Sequence, residues 1–224
     1  DLDGSRIHSV GESLGGWATL GTAAINNEMV STTSVYPASS LSQALFESES
    51  FKPLADGLKA ALAANGILPD TTAFNNYVRD FQNLIDAGDP INYGYAWGKN
   101  QVVPIHMIMV DGDATAPNES TRRLQDAMGL PQVPLSQPPV FPFPILVGST
   151  DPVQGTNGVN GGLVFFTAGA HGSFISPDFD PAVTVEMQTE AVVFGAGNPL
   201  NLIPGNGQVI LISDPTVIDT DGQD

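Results

Sequence analysis

Short apolar runs bounded by glycine and proline alternate, along this chain, with longer stretches whose apolar side chains return every three or four positions. The first kind of run reads as strand and the second as amphipathic helix. Arg6 to Val10 predicts a short strand, and Leu14 to Asn26 a helix behind it, with Trp17, Leu20 and Ala24 on its inward face. Met29 to Tyr36, rich in Val, Thr and Tyr and stopped by Pro37, predicts a second strand. Strand, helix and strand in that order make one unit of a parallel sheet.

Residues 38–100 change to a helical pattern. Leu54, Leu58, Ala61 and Leu62 form one stripe, closed by Asn65-Gly66. A second stripe runs through Phe74, Tyr77, Val78, Phe81, Leu84 and Ile85, with Asp70 as its expected cap and Gly88 as its end. Such an insert between core strands serves either as a cap over a site or as an ordinary helical layer. Tyr93, Tyr95 and Trp97 cluster after it, either lining a pocket or simply packing.

Val102 to Val110 is almost continuously apolar, as expected of a strand buried on both faces. A helix is predicted from Glu119 to Met128, capped by Asn118. Residues 130–160, rich in Pro, Gly and Gln, read as a long surface excursion. Leu163 to Thr167 predicts a fourth strand, Pro181 to Phe194 a last helix and Val209 to Ile212 a short strand before an acidic, loose end.

The candidate chemistry sits at the ends of these strands. Gly11-Glu12-Ser13-Leu14-Gly15 interrupts the first strand-to-helix junction as Gly-x-Ser-x-Gly, and Gly16 follows. In a nucleophile elbow the serine occupies the tip of a strained turn, and glycines flank it where a Cβ would collide with the neighbouring strand or helix. Ser13 is therefore the candidate nucleophile. A serine hydroxyl needs a base to take its proton and an acid to orient that base. Of the three histidines, His8 and His106 lie inside predicted strands and read as structural. His171, in the glycine-flanked loop Ala170-His171-Gly172-Ser173, is the candidate base. Asp113 and Asp111 both lie at the C-terminal end of the third strand, the edge where open α/β sheets assemble their sites. Asp113, farther into the loop, is preferred as the orienting acid, and Asp111 is left to cap the turn.

Composition narrows the partners. With 24 acidic and 7 basic residues the net charge is −17, which repels nucleic acid and anionic membrane surfaces. The absence of cysteine removes thiol chemistry, disulfides and thiolate metal sites, and Asp111 to Arg122 fails the calcium-loop pattern at Ala116 and Arg122. No cofactor and no metal is expected. No leader pattern is visible at Asp1-Leu2-Asp3-Gly4 and no run is long enough to span a bilayer.

Taken together, Val10 to Gly16, Phe81 to Asn92 with Asp89-Pro90, Asp111-Gly112-Asp113, Ala170 to Ser173 and the helix around Met187-Gln188 resemble the C-terminal half of an α/β-hydrolase. The chain is most similar to bacterial extracellular lipases of the virulence-factor type and surface lysophospholipases. Ser13, Asp113 and His171 follow the chain order of that fold's triad. The resemblance implies a mostly parallel sheet flanked by helices over residues 1–195, a helical lid at 38–100 and a C-terminal tail at 196–224. It implies hydrolysis of carboxylic esters of lipid-like substrates through an acyl-enzyme, at an extracellular or bacterial cell-surface location. Glu12 stands where lipases often carry histidine, as in many esterases and some serine peptidases. A peptidase or acyltransferase on the same fold, or a non-catalytic hydrolase-like binding fragment, are the rival readings. The half of the fold preceding the elbow is expected on a second chain. It would cover the open edge of the first strand and give one oxyanion-hole donor, Leu14 N–H supplying the other.

Overall fold

The computed structural model describes residues 3–26, 28–94, 103–133, 161–197, 205–207 and 209–219. Their centre is a four-stranded parallel sheet in the order β1 (Ile7–Glu12), β2 (Met29–Val35), β3 (Ile105–Val110), β4 (Gly161–Phe166). Each ladder is parallel, with Glu12 opposite Val35, Thr33 opposite His106, and Val110 opposite Phe166. Parallel neighbours need a crossover between them, and helices supply the cover on both faces.

Strand residues alternate between those faces. Ile105, Met107 and Met109 of β3, with Leu163 and Phe165 of β4, bury against Leu20 of α1 (Leu14–Ile25) and Leu124 and Met128 of α5 (Asn118–Met128). Ile108, Val110, Val164 and Phe166 face the other way, against Val183, Met187 and Phe194 of α6 (Pro181–Ala196). Every residue of β3 and β4 is buried, as the continuous apolar run predicts. β1 is the outer strand among the described residues, and Ile7 and Val10 remain 40% and 50% exposed.

Between β2 and β3 the chain forms three helices, α2 (Leu41–Glu47), α3 (Lys52–Ala64) and α4 (Thr72–Ile85), then 3-10 turns at Asp86–Gly88 and Pro90–Tyr93. Their attachment centres on Asp89, which is fully buried. It accepts from Leu41 N (3.0 Å), Ile91 N (3.1 Å) and Gln82 Nε2 (2.9 Å), while Gln82 Oε1 accepts from both Ser42 N and Ser42 Oγ.

Several expectations require correction. The α4 cap is Thr71, whose hydroxyl accepts from Phe74 N, because Asp70 adopts a left-handed conformation one residue too early. Of the second stripe, Phe74 is buried but Leu84 is 83% exposed. Asn118 does not cap α5: it begins the helix and reaches back to the preceding turn, as described below. Val209 to Ile212 form no strand; they are buried as irregular backbone, and Ile210 and Ile212 join the core under α6. Ile218 closes an antiparallel bridge onto Phe166, so residues 209–219 pack into the same core as the sheet. Tyr95, Trp97 and most of the 130–160 excursion lie outside the described residues.

The α6 face holds an ionisable pair. His106 Nε2 lies 3.0 Å from Glu190 Oε2, both side chains fully buried, while among the described residues His106 Nδ1 and Glu190 Oε1 have no hydrogen-bond partner. Burial pulls His106 down to about 3 and pushes Glu190 well above its ordinary 4.5, with Glu186 adding to the upward push. The pair is thus held neutral, the Glu190 carboxyl donating to the imidazole. The raised Glu190 value favours folding below about 4.5, a contribution lost as pH rises through the folded-state pKa. Glu190→Gln keeps a donor towards His106 but cannot ionise. Thermal melts across pH should therefore show the wild type losing several degrees relative to Glu190→Gln as pH rises above about 4.5.

Candidate functional site

The site grows from the junction of β1 and α1. Ser13 takes φ 57 and ψ −120, a conformation open to few residues other than glycine. Its amide donates to Val35 O across the β1–β2 ladder at 2.8 Å, which pins the turn to the sheet. The glycines explain how α1 gets so close. A Cβ on Gly11 would lie 2.1 Å from Gly15 O, and one on Gly16 would lie 2.8 Å from Val35 O. Gly15 departs from expectation, since a Cβ there meets nothing within 4 Å. The Leu14 amide opens α1, where first-turn donors have no carbonyl of their own helix to bond. That is a position suited to holding an oxyanion.

Asp113 lies in the loop beyond β3, and the structure joins it to His171. His171 Nδ1 donates to Asp113 Oδ2 at 2.8 Å, the carboxylate 2% exposed. The second oxygen, Oδ1, accepts from Thr115 N (2.8 Å) and Ala116 N (2.9 Å). Asn118 braces the turn beneath: its Oδ1 accepts from Gly112 N and its Nδ2 donates to Val110 O. Asp111 is exposed and makes its amide bond to Phe166 O. Three donors on one buried carboxylate hold it against rotation, and a carboxylate on Nδ1 leaves Nε2 as the basic nitrogen.

His171 is carried by a loop fixed to α6. Ser173 Oγ accepts from Ala170 N at 2.8 Å, and Thr184 Oγ1 donates to Ser173 O at 2.5 Å. Gly169 and Gly172 both have positive φ, which lets this loop turn sharply on either side of the imidazole. Among the described residues no hydrogen bond links Ser13 Oγ to His171.

Above Ser13 lies a cavity of about 360 Å³, lined by Ser13, Leu14, Trp17, Tyr36, Leu45 and Phe81 among others, with no charged side chain among the described residues. Its lining comes from the start of α1, from α2 and α4, from Phe51 just before α3, and from the loops after β2 and β3. The stripe that packs poorly as core, Phe81 and Ile85 of α4, faces this space. Glu12, half-buried beside the serine, has its carboxyl pushed up by burial; His171 pulls it down and Asp113 pushes it up. Tyr36, directly after β2, has its ring centroid 5.2 Å from that of His171. Among the described residues no group of three or more His, Cys, Asp or Glu side chains could hold a metal ion.

No family model and no curated protein matches the chain. Solved structures do. A Mycobacterium tuberculosis puromycin-hydrolyzing peptidase superposes with a TM-score of 0.55 at 16% identity, over 94% of this chain and 24% of its own. The uncomplexed acylaminoacyl peptidase of Pyrococcus horikoshii gives 0.52 at 15% identity, over 88% of this chain and 25% of its own. The chain has the α/β-hydrolase fold. It spans about a quarter of the length of the structures it matches.

Two glycine variants separate a close contact from mere motif membership. Gly11→Ala is expected to disrupt the elbow and lower the melting temperature sharply. Gly15→Ala should fold normally and gain up to about 1 kcal/mol in helix propensity, read by denaturant melts.

Proposed function

We propose that this chain belongs to a serine hydrolase that cleaves acyl compounds through an acyl-enzyme. One observation carries the reading: the 2.8 Å bond from His171 to a triply held Asp113, at the same sheet edge as a strained Ser13. In the proposed reaction His171 Nε2 takes the Ser13 proton as Oγ attacks the acyl carbon. Asp113 steadies the imidazolium, and Leu14 N–H receives the developing oxyanion. His171 then returns the proton to the leaving group, and water repeats the sequence to free the acid.

Carboxylic esters with an apolar acyl group are the preferred substrates, because the cavity over Ser13 has no charge to recognise a polar one. The resemblance to lipases and lysophospholipases supports lipid-like esters and an extracellular or cell-surface location. The peptidase reading draws on the two superposed structures, both peptidases by name. A further polypeptide carrying the rest of the fold is proposed to lie along the exposed outer edge of β1 and to give the second oxyanion donor. No helix among the described residues is long and apolar enough to cross a membrane.

A fluorophosphonate probe should label the wild type, and Ser13→Ala should abolish the label; a wild type that does not react refutes the reading. Asp113→Asn should lower kcat by roughly 10³–10⁴ with little change in KM. p-Nitrophenyl esters of increasing acyl length, run beside peptide anilides, should favour the esters; faster anilide cleavage assigns the peptidase instead.

A further inference from the structure

Tyr36 stands where a tyrosine is least expected. It follows β2 directly with φ 51, in the left-handed region that bulky side chains rarely enter. A residue stays in such a conformation only where its surroundings dictate it. Here its amide donates to Ile108 O at 2.9 Å, and the carbonyl just before it accepts from Ser13 N. Its hydroxyl donates to Met187 Sδ of α6 at 3.0 Å, and the residue is 1% exposed. Both ends of the side chain are therefore fixed, one to the nucleophile's strand pair and the other to the helix behind the His171 loop.

The ring between those anchors meets the imidazole of His171 at 5.2 Å, tilted by 39°, and lines the cavity together with Ser13. Simple core filling does not require this backbone, since an apolar residue at any relaxed position would occupy the same volume. Resting on the hydrolase reading above, we infer that Tyr36 is a positioning residue for His171. Its ring is the wall that limits the swing of the imidazole and steadies the cation formed when the serine proton arrives. An aromatic ring within about 6 Å attracts a cation even without a hydrogen bond, and the effect grows where water is excluded. Burial pushes the Tyr36 phenol above its ordinary value, with Glu12 and Asp113 adding to the push, so the hydroxyl keeps its proton and its bond to Met187.

The test compares Tyr36→Phe, which keeps the ring, with Tyr36→Leu and Tyr36→Met, which fill the space without one. In the full-length protein, Tyr36→Phe should label with fluorophosphonate and turn over p-nitrophenyl acetate within about threefold of wild type. The Leu and Met variants should lose about tenfold in kcat and labelling rate with KM little changed, the size of a partly desolvated cation–ring interaction. The His171 ring-proton resonances should shift as the ring current disappears, with His8 and His106, the two other histidines, as internal references. A lower melting temperature with wild-type kcat and unmoved His171 signals would assign Tyr36 to packing alone and overturn the proposal. If Tyr36→Leu fails to fold, Tyr36→Met and the Phe variant carry the same comparison. Absence of labelling in the wild type would refute the hydrolase reading, whereas the His171 resonances report on the ring contact independently.

Discussion

Helix α1 touches the sheet through bare backbone, and the rest of the site depends on that contact. Two Cβ positions, on Gly11 and Gly16, would each drive a carbon into a carbonyl oxygen. With hydrogen there instead, the chain can leave β1, reverse at one strained residue and start a helix without stepping away from β2. The strain at Ser13 is sustained because its amide is already committed to Val35. The turn is thereby pinned to the sheet, and the serine stands at the sheet edge beneath the apolar cavity.

Around that point polar groups are few, and the best held of them is a carboxylate. The Asp113 carboxylate has three donors, two of them backbone amides fixed by the turn itself. The dipoles around this charge are already aligned, so it needs no rearrangement to be held in place. Across the sheet, His106 and Glu190 illustrate the opposite solution, a buried pair in which each group is kept uncharged by the lack of water. The two histidine–carboxylate pairs share bond lengths near 3 Å and differ in solvation. Only the His171 ring retains partial exposure.

Much of this was legible in the chain because it rests on local signals. Gly-x-Ser-x-Gly after an apolar run, an aspartate past the third strand and a glycine-flanked histidine past the fourth are each placed by sequence distance. The two strands whose every residue is buried were visible as unbroken apolar runs. What escaped depends on distant partners. The role of Tyr36 needs Ile108 and Met187, the latter 151 residues away, and no propensity scale foresees a left-handed tyrosine. Gly15 was counted as obligatory by analogy with Gly11, yet it faces open space. Asp70 and Asn118 have the chemistry of caps, but Thr71 caps α4 and the Asn118 side chain is committed to the Gly112 turn instead. Val209 to Ile212 alternate in no useful way because they are covered on all sides by α6 and the sheet.

Asp89 has a wider consequence for how such a molecule can diversify. One fully buried carboxylate gathers the start of α2, the body of α4 and the turn after it, without touching the serine or the strands that hold it. The roof of the cavity is thus hung from its own peg. Apart from Ser42 and Gln82, which share in that attachment, side chains along Leu41 to Ile85 are free to drift in size and shape, remodelling the cavity, while Ser13, Asp113 and His171 below keep their places.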